Sequence, residues 1–373
     1  MSQIYKIVWT GGPCGGKTSG MVKSLEEGKK LGREIYVVPE AATFIMGTLG
    51  VKPFDVGIYR FQHMVFETIQ LFEKIGETYL QQKSGDHKVM FCDRGLLDCA
   101  AYIDDDQWKQ LLKEYNICDA DIYARYDAVI NMQSVAENMP HFYTKENNDV
   151  RGEDIEGAKI LQYKFDILYG KYASSFTKIE NIIEGQPISF EQKKINACNA
   201  VLHYLGIPES RELEDMFEVD VLDIEAITKH SSKSIIEQYY IRIDKEMHEE
   251  ERVRKIIFQD CSELYIKTKK KGIGKDRIEI EEKIEKETYE LFKGSTFYQY
   301  PIQKHRYSFF RDGKKYELDY FLTGTKKGKW GLECEKINQH IRITIPDFLS
   351  IKNNVTDDPA WKNANMISMF DIP

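Results

Sequence analysis

Residues Gly11-Gly12-Pro13-Cys14-Gly15-Gly16-Lys17-Thr18 fit the pattern G-x-x-x-x-G-K-[ST]. They lie between a short apolar run, residues 4–9, and a helix-forming stretch, residues 17–31, which is the context that pattern requires. The chemistry is phosphate binding. Glycines let backbone N–H groups face phosphate oxygens, and the helix N-terminus adds the positive end of its dipole. Lys17 is expected to reach the terminal phosphates, Thr18 to offer a hydroxyl to Mg²⁺, and Ser19 to complete the same turn. The expected cofactors are Mg²⁺ with ATP or GTP. No Asn-Lys-x-Asp element occurs, so the residues leave the choice of base open.

Further groups fall at the ends of other apolar runs. Val89-Met90-Phe91-Cys92-Asp93-Arg94-Gly95 reads as a strand ending in an acid and a base. Asp93 there can hold Mg²⁺, and Arg94 can meet a phosphate with its fork of donors; the plainer alternative is a surface ion pair. Glu40, after Tyr36-Val37-Val38-Pro39, can accept a proton from an attacking hydroxyl, or stand as an ordinary exposed glutamate. Arg60 and Gln62 open a helical region and can read a small-molecule acceptor or simply be solvated. Arg151, in the polar loop Asn147-Asn148-Asp149-Val150-Arg151-Gly152, can close over a triphosphate or remain a surface residue.

The elements that must position these groups alternate strand and helix. Strand-like runs at 4–9, 34–38, 89–92, 128–132 and 179–184 are separated by helical stretches, the pattern of a doubly wound parallel sheet. A P-loop domain over residues 1–208 is expected, followed by an acidic connector at 209–230. From 231 to 373 the texture changes to two-residue alternation over seven strand-like runs, which predicts an antiparallel β-barrel or curved sheet.

The second region carries its charges in alternate positions: Arg252 and Arg254, Lys267 and Lys269, Glu279 and Glu281, Glu317 and Asp319, Glu333 and Glu335. With Glu237 they can line one concavity, in which bases bind a phosphorylated ligand and acids hold a divalent metal. Solvated pairs across a half-exposed sheet are the simpler reading.

Composition removes several classes. A net charge of −8 argues against nucleic acid as a partner. Seven scattered cysteines with no C-x-x-C pair argue against a disulfide framework and a structural zinc site. No apolar run reaches bilayer length, and the first residues enter a strand without signal-peptide architecture, so a cytoplasmic location is expected.

With these residues in view, the first half resembles the AAA-type P-loop ATPase/kinase domain of ribosylnicotinamide kinases. The Val-Pro-Glu40 and Asp93-Arg94-Gly95 pieces resemble those of deoxynucleoside kinases. The second half resembles the CYTH, or triphosphate tunnel, fold. The combination, with Phe142-Tyr143-Thr144-Lys145-Glu146-Asn147-Asn148, is similar to the TRPL translocation defect protein family. That resemblance implies ATP or GTP binding by the first domain. It further implies phosphoinositide or phosphatidic acid binding with peripheral membrane contact, while the resemblance to deoxynucleoside kinases gives Glu40 the role of base. Tunnel triphosphatases carry Glu-x-Glu-x-Lys on their first strand, of which Ile235-Ile236-Glu237-Gln238-Tyr239 keeps only the second acid. Binding of a polyphosphate or other phosphorylated ligand by Arg252, Arg254, Lys267 and Lys269 is therefore expected more than hydrolysis there.

Overall fold

The computed structural model describes residues 4–85, 87–143, 154–173, 175–183, 185–205, 213–244, 249–271, 278–295, 300–311, 314–336 and 343–367. The chain divides into two compact units, Met1–Ser210 and Arg211–Pro373.

In the first unit, β1 (Ile4–Thr10) leads through the glycine-rich loop into α1 (Lys17–Lys30), then β2 (Glu34–Val38), α2 (Ala41–Gly47), α3 (Pro53–Val56) and the long α4 (Ile58–Gln81). There follow β3 (Lys88–Asp93), α5 (Asp105–Glu114), α6 (Asp119–Arg125), β4 (Ala128–Met132), α7 (Val135–Asn138) and α8 (Ile155–Tyr172). The unit ends with β5 (Phe176–Ile179), a small hairpin of β6 (Ile182–Ile183) and β7 (Gln186–Pro187), and α9 (Phe190–Tyr204).

Five strands form a parallel sheet in the order β2-β3-β1-β4-β5. The central strands are buried on both faces, which is why 89–92 and 128–132 read as continuous apolar runs. Ile7, Trp9, Phe91, Ile130 and Met132 pack with Met21 of α1 and Val201 of α9. On the opposite side, α4 buries Phe61, Val65, Phe66 and Ile69 at helical spacing. Gly76 lets α4 approach the sheet, since a Cβ there would lie 2.6 Å from the Tyr36 ring. The fifth strand lies earlier than expected, because Phe176 to Ile179 pair with Val129 to Met132. Past Ile179 the backbone turns away, and Asn181 becomes a hydrogen-bonding residue instead.

The second unit is one antiparallel sheet of nine strands. Its elements are β8 (Leu213–Val221), α10 (Ile224–His230), β9 (Ser232–Asp244), β10 (Glu249–Ile257), β11 (Glu263–Lys271), β12 (Ile278–Lys283), α11 (Lys286–Ser295), β13 (Ile302–Arg311), β14 (Lys314–Phe321), β15 (Trp330–Lys336) and β16 (Leu349–Asn354). Their order is β12-β11-β10-β9-β13-β14-β15-β8-β16, and among the described residues β12 and β16 have no pairing that would close a barrel. The expected connector at 209–230 is corrected. Residues 213–221 are an interior strand, β8, paired to β15 and β16, and 224–230 form α10. Acidic residues there alternate with Phe217 and Val219, which are buried; the charges mark one face of a strand rather than a linker.

One face of this sheet carries the apolar core. Tyr307, Phe309, Leu318 and Leu332 pack with Ile227 of α10, and Tyr239, Val253 and Tyr265 pack with Tyr289 of α11. The other face carries a buried charged centre, flanked by a cluster in which Tyr240, Ile302 and Phe321 meet Trp361 and Met366.

Candidate functional site

The phosphate loop leaves the carboxyl end of β1 between β3 and β4. It needs glycine for two reasons. Gly11 and Gly16 have φ of +126° and +85°. A Cβ on Gly11 or Gly15 would also lie 2.2 or 2.4 Å from the Met132 carbonyl oxygen. Cys14 holds a left-handed conformation, φ +57°, without being glycine.

The loop is fixed from behind. Gly12 N–H donates to Gln162 Oε1 at 2.8 Å, and Ser134 N–H donates to the same oxygen at 2.9 Å. The Ser134 hydroxyl donates to the Pro13 carbonyl, and Gly15 N–H to the Gly12 carbonyl at 3.3 Å. Gln162 Nε2 in turn donates to Asn131 and Asp166, each at 2.9 Å. None of these supports was singled out by sequence. Gln162 and Gly12 are 150 residues apart, and a glutamine on a helix carries no local sign of such a partner.

Lys17 opens α1 and is half-buried. Burial, with the Arg94 charge, lowers its pKa, while Asp93, Glu40 and Asp98 pull the other way. Among the described residues it makes no ion pair. Thr18 and Ser19 are exposed on the first turn of α1.

Asp93, at the end of β3, is paired in register with Trp9. Its Oδ1 is buried and, among the described residues, has no hydrogen-bond partner. Burial raises its pKa, opposed by Lys17 and reinforced by Glu40. A buried carboxylate oxygen without a donor is costly unless a cation or water completes it. Carboxylate and hydroxyl oxygens are ligand types that Mg²⁺ takes, and Asp93 and Thr18 are the residues here that could offer them.

Arg94, expected to meet a phosphate, is paired here with two carboxylates. With φ +77°, it turns its side chain onto protein carboxylates. Nε donates to Glu40 at 2.8 Å and Nη1 to Asp98 at 2.8 Å, with the guanidinium 5.1 Å from the Phe165 ring. Asp98, which the sequence reading passed over, also accepts from the Thr10 hydroxyl at 2.7 Å and from Gly95 N–H at 3.0 Å. Glu40 takes a second hydrogen bond from Thr43 at 2.7 Å. Burial pushes its carboxyl up, but Arg94 and Lys17 outweigh that and hold it at about 2. The structure thus brings Lys17, Glu40, Asp93 and Arg94 into one charged group at the loop. Arg60 is exposed and Gln62 buried, as residues two apart on a helix point apart. Arg151 lies outside the described residues.

In the second unit, register separates residues that the sequence reading had grouped. Residues paired directly across antiparallel strands project to the same side. Arg252 pairs with Tyr240 and Thr268, while Val253 pairs with Lys267. Arg252 and Arg254 therefore lie on the charged face, and Lys267 and Lys269 on the opposite one. There both lysines reach Glu251, at 3.4 and 3.6 Å, and Lys267 lies 4.8 Å from the Phe292 ring.

Glu237 also lies on the opposite face. It accepts from Tyr289 at 2.8 Å and Gln303 at 2.9 Å and pairs with Lys293 at 3.3 Å, so it is not an open metal ligand. Glu281 pairs with Arg254. Glu333 meets Arg306 at 2.9 Å, in a cluster where Lys304, Arg306 and Lys315 face Glu317, Asp319 and Glu333. Burial and then Arg306 act against charge on Lys304, lowering its pKa, while Arg306 and Lys315 overcome burial to hold Glu317 well below the usual carboxylate range. The side chains of Glu279 and Glu335 lie outside the described residues. Among the described residues no three His, Cys, Asp or Glu groups are placed to hold a metal ion.

All seven cysteines are free thiols. No curated protein matches the chain. One solved structure, the hypothetical protein NE1496, is 25% identical, covers 43% of this chain and 99% of its own, and has a TM-score of 0.31. A structure of the inorganic triphosphatase NE1496 is 24% identical over 42% of this chain and 95% of its own, with a TM-score of 0.30. The PH1012 protein from Pyrococcus horikoshii OT3 is 20% identical over 34% and 79%, with a TM-score of 0.26. Scores of this size do not establish a shared fold. Residues 6–184 match the profile of a family described as AAA domain, and this stretch contains the phosphate loop and its charged group, consistent with nucleotide binding there.

Proposed function

We propose that the first unit binds a nucleoside triphosphate with Mg²⁺ and transfers or hydrolyses its terminal phosphoryl group. The observation that carries this reading is Asp93, whose buried and unpartnered oxygen stands in one electrostatic group with Lys17 at the end of the phosphate loop. Asp93 and Thr18 would hold Mg²⁺, which supplies charge neutralisation of the phosphates. Lys17, partly stripped of water and without an ion pair among the described residues, is ready to meet the terminal phosphates. Loop N–H groups from Cys14 to Ser19 would complete the cradle.

Glu40, ionised and anchored by Arg94, orients an acceptor hydroxyl or water by accepting its hydrogen bond. A carboxylate held at about 2 is a weak base, which suits a loose phosphoryl-transfer transition state in which the proton leaves late. Arg94 then acts by holding Glu40. Purified full-length chain with Mg²⁺ should release ADP or GDP, and Lys17→Ala and Asp93→Asn should each lower turnover at least a hundredfold. Turnover that survives both substitutions, or that is absent with ATP and GTP alike across candidate acceptors, would overturn the catalytic reading.

A second reading concerns the other unit, as a binding domain for a phosphorylated ligand such as a phosphoinositide or polyphosphate. It is favoured by Gln238, whose buried Nε2 has no partner among the described residues and which pairs in register with Arg254. Under this reading the protein is a nucleotide-regulated adaptor with peripheral membrane contact, in the manner of the TRPL translocation defect family. Hydrolysis of triphosphate in this unit ranks behind binding, because Glu237 is already saturated.

A further inference from the structure

A cluster of buried polar groups lies behind the phosphate loop and has no part in the chemistry proposed above. At its centre is Lys193, in the first turn of α9, 3% exposed. Its ammonium donates to the Gln133 carbonyl at 2.5 Å and to Asn181 Oδ1 at 2.6 Å. Among the described residues no carboxylate lies within ion-pair distance of it. Asn181 N–H donates to Gln133 Oε1 at 2.7 Å, and Asn181 Nδ2 donates to the Ser134 carbonyl at 3.0 Å. The Ser134 hydroxyl then reaches the Pro13 carbonyl within the loop. Lys193 is thus joined to the loop by an unbroken run of hydrogen bonds through Gln133, Asn181 and Ser134, each buried.

We propose that Lys193 is a positioning residue of the phosphate loop, and that nucleotide binding draws a proton onto it. The proposal rests on nucleotide binding by the first unit. An isolated buried ammonium is disfavoured by desolvation and favoured by any nearby negative charge. Burial, with the charge of Lys178, lowers Lys193 to about 7, with Glu137 opposing. The charged groups that act on it are Lys178 from β5 and Glu137 from α7. Lys178 is itself paired to Asp166 at 2.6 Å and to Glu137 at 3.3 Å. The acids around Lys193 are therefore engaged, and the phosphates of an incoming nucleotide are the charge that changes. Their arrival at a loop tied to Lys193 raises its proton affinity, so binding near neutral pH takes up a proton from solvent.

The test is calorimetric titration of the full-length chain with Mg-ATP and with Mg-GTP at pH 7.5, in two buffers of different ionisation enthalpy. The difference in heat counts the protons exchanged. The nucleotide's own titration is common to every variant, so the comparison isolates Lys193. Wild type should take up more protons than Lys193→Met, and Lys193→Met should bind at least tenfold more weakly. Lys193→Arg, charged at every pH, should recover affinity without the extra uptake. Should Lys193→Met fail to fold, Ser134→Ala decides, since it keeps the lysine and cuts its link to Pro13; weaker binding with reduced uptake is expected. Equal affinity and equal proton count in Lys193→Met and wild type overturn the proposal, as do unchanged values in Ser134→Ala. A wild type that binds neither nucleotide overturns the underlying reading instead.

Discussion

At the scale of single residues, the charged group at the loop is organised by which partners each side chain already has. Arg94 is committed to Glu40 and Asp98, whereas Lys17 and the Asp93 Oδ1 atom are left uncommitted. That division separates groups that hold the site from groups that can meet a ligand. It also has a consequence for stability. Glu40 titrates at about 2 in the folded protein against 4.5 ordinarily, so the folded state binds its proton less tightly than the unfolded chain. Its contribution is fully present above the unfolded value and is lost as pH falls through the folded one, on the order of 3 kcal/mol at most. Glu40→Gln should therefore be less stable at neutral pH, with a flatter loss between pH 4.5 and 2, as followed by circular dichroism during acid titration. A wild-type profile in the variant would show that the Arg94 pair contributes nothing net. The roles proposed for Lys17 and Asp93 rest on motif and strand end, which are local features of the sequence. The commitment of Arg94 could not be read from sequence, since its partner Glu40 is 54 residues away.

At the scale of elements, the decisive facts are registers and crossings. Alternation in the sequence identified β9 to β15 and put Arg252 with Arg254, and Lys267 with Lys269. It could not say which face each pair shares, because a shift of one residue between neighbouring strands moves a whole set to the other side. If the second unit binds a phosphorylated ligand, Arg252→Ala with Arg254→Ala should weaken tripolyphosphate or inositol phosphate binding at least tenfold, whereas Lys267→Ala with Lys269→Ala should leave it within twofold. Equal losses from both double variants, measured by titration calorimetry, would place the ligand outside the charged face. Strand β8 was missed for a related reason. Its acids dominate the composition, and only pairing with β15 and β16 shows that the residues between them are core. The supports of the phosphate loop come from α8, α9 and the segments after β4 and β5, which no local pattern connects.

At the scale of the whole chain, each unit has its own buried core, one around Trp9 and Phe91, the other around Phe309 and Leu318. No helix among the described residues is long and apolar enough to cross a membrane. Two cores of this kind predict two unfolding transitions in scanning calorimetry. Mg-nucleotide at about a hundred times its Kd should stabilise one of them by about 2.7 kcal/mol and leave the other unmoved. Lys17→Ala should abolish the shift. A single transition that moves as a whole would show that the units unfold together.

The sequence by itself determined the phosphate loop, the alternation that builds a parallel sheet, and the change to antiparallel strands beyond it. These are set by neighbours in the chain, through glycine conformation, capping and hydrophobic period. Only the tertiary structure decided that Arg94 holds Glu40 instead of facing outward, that Lys267 and Lys269 stand apart from Arg252 and Arg254, and that Glu237 is already occupied. It also decided that a lysine beyond the last strand of the parallel sheet is tied to the loop after its first strand. Those outcomes depend on contacts between residues far apart in the chain, fixed by packing and strand register, and a residue's own type carries no record of the partner it will meet.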